Sequence, residues 1–123
     1  MKGNPAVVER LAATTPAEVA IPQPVVAEIA FGIERLPRSK RRTSLQTRFD
    51  LVSAELPRAE WTDAVSQMFG RIKATFERRG TRIEDFDAAI AAHALALKAT
   101  LVTANLDHMI RVPGLHVEDW SQG

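Results

Sequence analysis

The chain contains no cysteine among its 123 residues. This absence excludes disulfide bonds, thiolate zinc sites and a cysteine nucleophile, and it fits a reducing compartment, so we expect a cytoplasmic protein. No apolar run is long enough to cross a bilayer, and the first five residues lack the apolar core of a signal peptide. Internal repeats and low-complexity linkers are also absent from the sequence. We therefore expect no membrane partner and a single domain over residues 1–123.

The composition is that of an ordinary globular protein, with 46% apolar and 25% charged residues. The formal net charge of +1 excludes nothing, but the positive charges are clustered. One group comprises Arg35, Arg38, Lys40, Arg41, Arg42 and Arg48, and a second comprises Arg78, Arg79 and Arg82. Clustered positive charge suits an anionic partner, whereas the simpler alternative is a solvated helix face.

Apolar residues at helical spacing predict several helices separated by short apolar segments. The helices are expected between the breaks at Pro22-Gln-Pro24 and Pro37, and over residues 39–56, 62–79 and 85–97, after a first helix that follows Asn4. The expected strands are residues 18–21, 100–103 and 115–120. This alternation predicts an α/β fold with a short parallel sheet flanked by helices. No strong strand separates the helices at 39–56 and 62–79, which we expect to form a protruding helical hairpin.

Three carboxylates occupy comparable places in this pattern. Glu28 lies in about the first turn of its helix, Asp87 lies in the first turn of the alanine-rich helix, and Asp107 follows the strand at 100–103. Helix starts after strands and strand exits share one edge of an open α/β sheet, so these groups are expected to converge. Each carboxylate near a helix start also has a purely structural explanation in the helix dipole. Together they predict a site for Mg²⁺, which prefers hard oxygen ligands.

A carboxylate-held Mg²⁺ can activate water and stabilise charge on a phosphoryl oxygen, which is the chemistry that cuts phosphodiesters. The basic helix after Arg35 would then hold the phosphate backbone. The residues expected to bind RNA are Arg38, Lys40, Arg41 and Arg42.

Several segments together resemble the VapC toxins, which are PIN-domain ribonucleases of type II toxin–antitoxin systems. These segments are Val25–Leu36, Gly70–Ile72, Arg79–Thr81, Asp87–Ala94, Thr100–Asn105 and Val112–Trp120. The resemblance runs from Gly3 nearly to the C-terminus, and it is the combination of segments that makes it specific.

The resemblance implies a PIN-like three-layer fold and an endoribonuclease that depends on Mg²⁺ or Mn²⁺. It also implies an RNA substrate, a homodimer, and a cognate VapB-like antitoxin whose C-terminal segment covers the acidic pocket. Glu28 and Asp87 match the family's second and third acidic positions, which makes them the expected catalytic residues. Together with Asp107 they are the expected metal ligands, and Thr103 and Asn105 are expected to support the site.

The sequence departs from the family pattern in two places that concern the metal. The family begins with a hydrophobic strand that carries the first acidic ligand, and here the match starts only after that strand. We therefore expect an N-terminally truncated domain with its first strand absent, and little nuclease activity. The family's fourth acidic position corresponds to His108, with Asp107 one residue earlier.

Two other classes of function stay open at this stage. The first alternative is a catalytically dead PIN-like module that binds an antitoxin or another partner protein. The second is a phosphate-binding regulatory α/β domain, which needs an acidic pair after its first strand and a lysine after its last, and neither is apparent. His93 is expected to be a packed core residue, Asn105 can be explained as a turn cap, and Thr103 as a capping residue.

Overall fold

A computed structural model describes residues 20–103 and 106–119 of the chain. The chain forms two compact units, Met1–Glu60 and Trp61–Gly123. Each unit contains helices and one short pair of parallel strands. The expectation of one domain over residues 1–123 stays a prediction.

The first unit contains two helices between two short strands. Its elements are β1 (Ile21–Pro22), α1 (Gln23–Glu34), α2 (Lys40–Glu55) and β2 (Arg58–Ala59). The strands are parallel, with Ile21 opposite Arg58 and Pro22 opposite Ala59. The sequence prediction missed β2, because two residues after a proline are too few to show a strand pattern. The predicted strand at 18–21 overlaps β1 only at Ile21, and residues 18 and 19 lie outside the described part of the chain.

The helix ends of the first unit follow local signals in the sequence. Pro24 lies in the first turn of α1, where a missing backbone N–H has no cost. Ser39 caps α2, since its hydroxyl accepts a hydrogen bond from the backbone N–H of Arg42 at 3.1 Å. Phe49 is the buried residue of α2, and Ile33 is buried on α1. The helix predicted at 39–56 is thereby confirmed.

The second unit contains the alanine-rich segment. Its elements are α3 (Asp63–Arg78), α4 (Asp85–Leu97), β3 (Leu101–Val102), α5 (Leu106–Met109) and β4 (Val117–Glu118). Strands β3 and β4 are parallel, with Leu101 opposite Val117. The bounds of α4 equal the predicted 85–97, and Thr62 caps α3 by accepting a hydrogen bond from Val65 at 3.4 Å.

The core of the second unit lies mainly between α3 and α4. Its buried residues are Val65, Ile72, Phe76, Ile83, Ala88, Ala91, Ala92 and Val112. Alanine at 88, 91 and 92 leaves no side-chain bulk beyond Cβ, so α4 packs closely against the large side chains of α3. Gly80 has a φ of +70°, a left-handed conformation that glycine adopts without strain, and it closes α3 as predicted.

Both described strand pairs are parallel and both units are rich in helix, as the sequence predicts. The expected hairpin joins α2 and α3, which belong to different units, so it stays a prediction. No helix within the described residues is long and apolar enough to span a membrane.

Candidate active site

The start of α4 carries two carboxylates that have different surroundings. Asp85 and Asp87 both lie in the first turn, where the helix dipole favours negative charge. Buried Ile83 anchors the loop that leads into this turn. Asp85 accepts a hydrogen bond from the Lys73 ammonium at 2.5 Å. That bond and the positive charge of Lys73 hold the pKa of the Asp85 carboxyl below its usual value.

Asp87 is the more enclosed of these two carboxylates. Its side chain is 16% exposed, whereas that of Asp85 is 74% exposed. The Oδ2 atom of Asp87 lies 3.8 Å from Nδ1 of His108, which belongs to α5. An acidic oxygen and an imidazole nitrogen therefore face each other at the start of α4.

Arg111 connects the segment that carries His108 to the loop before α4. Its Nε donates a hydrogen bond to the carbonyl of His108 at 3.2 Å, and its Nη1 donates one to the carbonyl of Arg82 at 3.1 Å. The guanidinium carbon also lies 5.0 Å from the centre of the Phe76 ring, a cation–π distance. These contacts fix the backbone of His108 relative to the loop that precedes α4.

The other predicted residues after β3 are placed as follows. Asp107 lies on α5, directly before His108, and is exposed. Thr103 is half-buried, and its backbone N–H donates to the carbonyl of Glu118 at 3.0 Å, which extends the β3–β4 pairing. Asn105 lies outside the described residues. Supporting roles for Thr103 and Asn105 stay predictions.

Glu28 is an exposed residue of α1 in the first unit. Since α1 begins at Gln23, Glu28 is its sixth residue and lies in the second turn, not in the first turn that the sequence suggested. Glu28 and Asp87 belong to different units. The expectation that they enter one acidic pocket stays a prediction.

The four predicted RNA-binding residues fall into two groups in the first unit. Arg38, Lys40 and Arg41 are exposed. The side chain of Arg42 is only 25% exposed, and it forms a salt bridge with Glu34 at 2.9 Å. It also donates a hydrogen bond to the carbonyl of Leu36 at 3.3 Å. These contacts give Arg42 a structural role in joining α1 to α2.

His93 is the buried polar side chain of α4, with 1% exposure. Its Nδ1 lies 2.8 Å from the carbonyl of Ala89, and its ring packs edge-on against Trp61 with ring centres 5.2 Å apart. Among the described residues, Nε2 of His93 has no hydrogen-bond partner. The expectation of a packed core histidine is confirmed.

A depression in the second unit lies beside this site but does not include it. It has a volume of about 320 Å³ and is lined by Lys73, Phe76, Glu77, Gly80, Thr81, Arg82 and Ile83. None of the predicted metal ligands lines it. The Asp87–His108 pair therefore lies outside this depression.

The donor set around Asp87 fits a divalent cation. Within residues 20–103 and 106–119, no group of three or more aspartate, glutamate and histidine side chains is arranged to hold a metal ion. Asp87 does offer a mostly enclosed carboxylate oxygen with an imidazole nitrogen beside it. Divalent cations are often bound by one or two protein carboxylates and several waters, so the Asp87 carboxylate suits such an ion.

Two residues of this site were missed as candidates from the sequence. His108 had a signal, since it occupies the place where the family resemblance expects a carboxylate. Arg111 had none, because a lone arginine in a turn shows no pattern and its partner carbonyl at Arg82 is 29 residues away. Their contacts with Asp87 and with the Arg82 carbonyl can be seen only in the folded structure, where the segment from α5 to Arg111 lies against the loop before α4.

Comparison with known proteins gives consistent matches over most of the chain. The family model described as the PIN domain matches residues 2–115. The chain is 31% identical over 104 residues to ribonuclease VapC2 of Rickettsia felis, covering 85% of this chain and 75% of that protein. It is 27% identical over 121 residues to the tRNA(fMet)-specific endonuclease VapC of Shigella flexneri, covering 98% and 89%.

A solved structure agrees with these matches. A chain of the DNA-bound VapBC crystal structure from Salmonella typhimurium superposes with a TM-score of 0.79 at 26% identity, covering 94% of this chain and 84% of that one.

Proposed function

This chain belongs to the PIN-domain family, as a VapC-type toxin, and on that basis we propose that it is a metal-dependent endoribonuclease restrained by a VapB-like antitoxin. The observation that carries the proposal is the position of Asp87. Its mostly enclosed carboxylate lies in the first turn of α4 with an imidazole nitrogen 3.8 Å away. Enclosure raises the strength of electrostatic interactions, so this carboxylate is better suited to bind a cation than exposed Asp85.

Asp87 would hold the divalent cation, Mg²⁺ or Mn²⁺, together with Glu28 and Asp107. The bound cation supplies Lewis-acid stabilisation of a phosphoryl oxygen and lowers the pKa of a bound water. The protein would position the carboxylates that hold the cation. The helix dipole at the start of α4 favours negative charge in its first turn, where Asp87 lies.

Arg38, Lys40 and Arg41 would contact the RNA backbone, because they are exposed and positively charged. Such contacts release counterions from the nucleic acid, so RNA binding should weaken steeply as salt rises. Arg42 would act indirectly, since its ion pair with Glu34 and its bond to the Leu36 carbonyl hold the start of the basic helix in place.

The test is cleavage of a panel of structured RNAs by the purified chain and by the same chain extended with a family-like first strand. The panel includes initiator tRNA, since a relative is named as a tRNA(fMet)-specific endonuclease. The expected result is site-specific cutting by the extended chain with Mg²⁺ or Mn²⁺, which EDTA abolishes and added metal restores, and little cutting by the 123-residue chain. Cutting that persists in EDTA would contradict the proposed mechanism.

A second assay separates the ribonuclease from a catalytically dead binding module. The cognate antitoxin is titrated into the cleavage reaction and its binding is measured in parallel. A ribonuclease toxin cuts RNA alone and stops when the antitoxin binds. Binding of the antitoxin without cleavage of any RNA would favour the dead module.

Sedimentation of the chain alone tests the predicted homodimer.

A further inference from the structure

We propose that His108 supplies an imidazole nitrogen to the cation held by Asp87, and that the site therefore prefers first-row transition ions over Mg²⁺. The inference rests on the proposed function and deepens it, because it assigns a ligand and a metal class to the same site. Its basis is the separation of 3.8 Å between Asp87 Oδ2 and His108 Nδ1.

The separation is too long for a direct hydrogen bond. N–H···O bonds have donor–acceptor distances of about 2.7–3.2 Å, so the two atoms approach without bonding to each other. A close ion pair does form two residues before Asp87, where the Lys73 ammonium lies 2.5 Å from the Asp85 carboxylate. The Asp87–His108 pair thus differs in geometry from an ordinary contact ion pair of the same helix start.

The same separation is close to the spacing of two ligands on one ion. Donors about 2.1 Å from a shared cation, at angles of about 90–110°, lie roughly 3.0–3.4 Å apart. The observed separation of 3.8 Å exceeds that spacing by less than about 1 Å. The His108 side chain is 59% exposed, so solvent can reach the pair and waters can complete the coordination shell.

The pair stands on a fixed framework. Met109 and Val112 are each 2% exposed and bury the segment on either side of Arg111. Arg111 donates to the carbonyl of His108, and its second bond reaches the carbonyl of Arg82 in the loop before α4. His108 is therefore held near Asp87 by backbone contacts that do not depend on attraction between the two side chains.

The donor chemistry determines the metal class. Mg²⁺ binds hard oxygen ligands, whereas neutral imidazole suits zinc, nickel, iron and cobalt, with affinity rising along the first-row series. A site that adds an imidazole to its carboxylate ligands should therefore bind Co²⁺ more tightly than Mg²⁺. Replacing the imidazole by a carboxylate should move the preference back toward Mg²⁺.

The test measures binding of Co²⁺ and of Mg²⁺ by isothermal titration, without RNA. The variants are His108→Asp and His108→Asn, and the matched control is His116→Asp, an exposed histidine of the same unit. We expect Co²⁺ affinity to fall by about 10-fold or more in both His108 variants and to stay unchanged in the control. Mg²⁺ affinity should hold or rise in His108→Asp. Circular dichroism of each variant checks that it is folded.

A second readout reports the nitrogen directly. Zn²⁺ added to protein labelled with ¹⁵N in its histidine rings should shift a ring resonance of His108 and leave that of His116 in place. The proposal is overturned if His108→Asp keeps the wild-type ratio of Co²⁺ to Mg²⁺ affinity, or if the His108 ring resonances do not respond. If only this result fails and RNA cleavage still depends on metal, the role of His108 is wrong and the proposed function stands. If the protein neither binds metal nor cleaves RNA, the proposed function itself is wrong.

Discussion

The carboxylate of Asp87 faces His108 at 3.8 Å, while that of Asp85, two residues earlier on the same helix, is bound by Lys73. One turn of helix thus presents two aspartates in opposite roles. Asp85 ties α4 to α3 through an exposed ion pair, and Asp87 is left beside an imidazole in a more enclosed place. This difference is the basis for assigning the chemistry to Asp87 and a structural role to Asp85.

Removing Lys73 should raise the pKa of Asp85. In Lys73→Met the hydrogen bond and the positive charge that lower this pKa are lost, so the carboxyl should titrate closer to its ordinary value. The measurement is a ¹³C NMR titration of the aspartate carboxyls. A depressed pKa stabilises the fold at pH values above the unfolded-state pKa, and this stabilisation is lost as pH falls through the folded-state pKa. An unchanged Asp85 titration in the variant would show that Lys73 is not the cause.

Truncating Arg111 should destabilise the second unit. Arg111→Met removes two exposed hydrogen bonds, to the carbonyls of His108 and Arg82, and the expected loss is about 1 kcal/mol in the free energy of unfolding. Urea denaturation measures it. Arg71→Met serves as the matched control, since Arg71 is an exposed arginine of α3, and it should change stability by less than about 0.5 kcal/mol. Equal effects of the two substitutions would argue against the bridging role.

Enlarging a buried alanine of α4 should disrupt its packing on α3. Ala92 has 0% exposure, so Ala92→Leu adds three carbons where no space is free and should cost about 1–3 kcal/mol or more. The control is Ala64→Leu, at an exposed position of α3, which should be nearly neutral. Thermal unfolding of both variants measures the difference. A tolerated leucine at 92 would show that the α3–α4 contact is looser than described.

Replacing His93 should leave RNA cleavage intact. His93→Phe keeps a flat ring against Trp61 and removes the buried Nε2, which has no hydrogen-bond partner among the described residues. Losing an unsatisfied polar atom offsets the loss of the bond to the Ala89 carbonyl, so stability should change by no more than about 1 kcal/mol. The assays are RNA cleavage by the chain extended with a family-like first strand, and urea denaturation. A folded variant that no longer cuts RNA would give His93 a chemical role after all.

The elements predicted best from sequence are those whose signals are local. An acidic start, an alanine run and the preceding Gly80 define α4, and the structure gives it the predicted bounds. The predicted α/β PIN-like fold is confirmed by the family match and by the parallel strand pairs. Strand β2 escaped prediction because its two residues are a strand only through pairing with β1, more than thirty residues earlier along the chain.

The candidate site was predicted only in part, because only some of its residues are placed by local sequence signals. The sequence places Asp87 in a first helical turn, and the structure agrees. The residues that surround this carboxylate depend on where α5, the helix after β3, packs against the start of α4. The approach of His108 and the bridge made by Arg111 therefore emerge only from the folded arrangement of the second unit.

The measurement that tests the central claim most directly is the RNA cleavage rate of Asp87→Asn beside that of Asp85→Asn, each made in the chain extended with a family-like first strand. Both variants remove one negative charge from the first turn of α4, so effects on the helix dipole and on net charge are matched. If Asp87 holds the catalytic cation, Asp87→Asn should lower the rate by about 100-fold or more, and Asp85→Asn should stay within a few-fold of the wild type. Equal rates in the two variants, whether both high or both low, would contradict the assignment of the chemistry to Asp87.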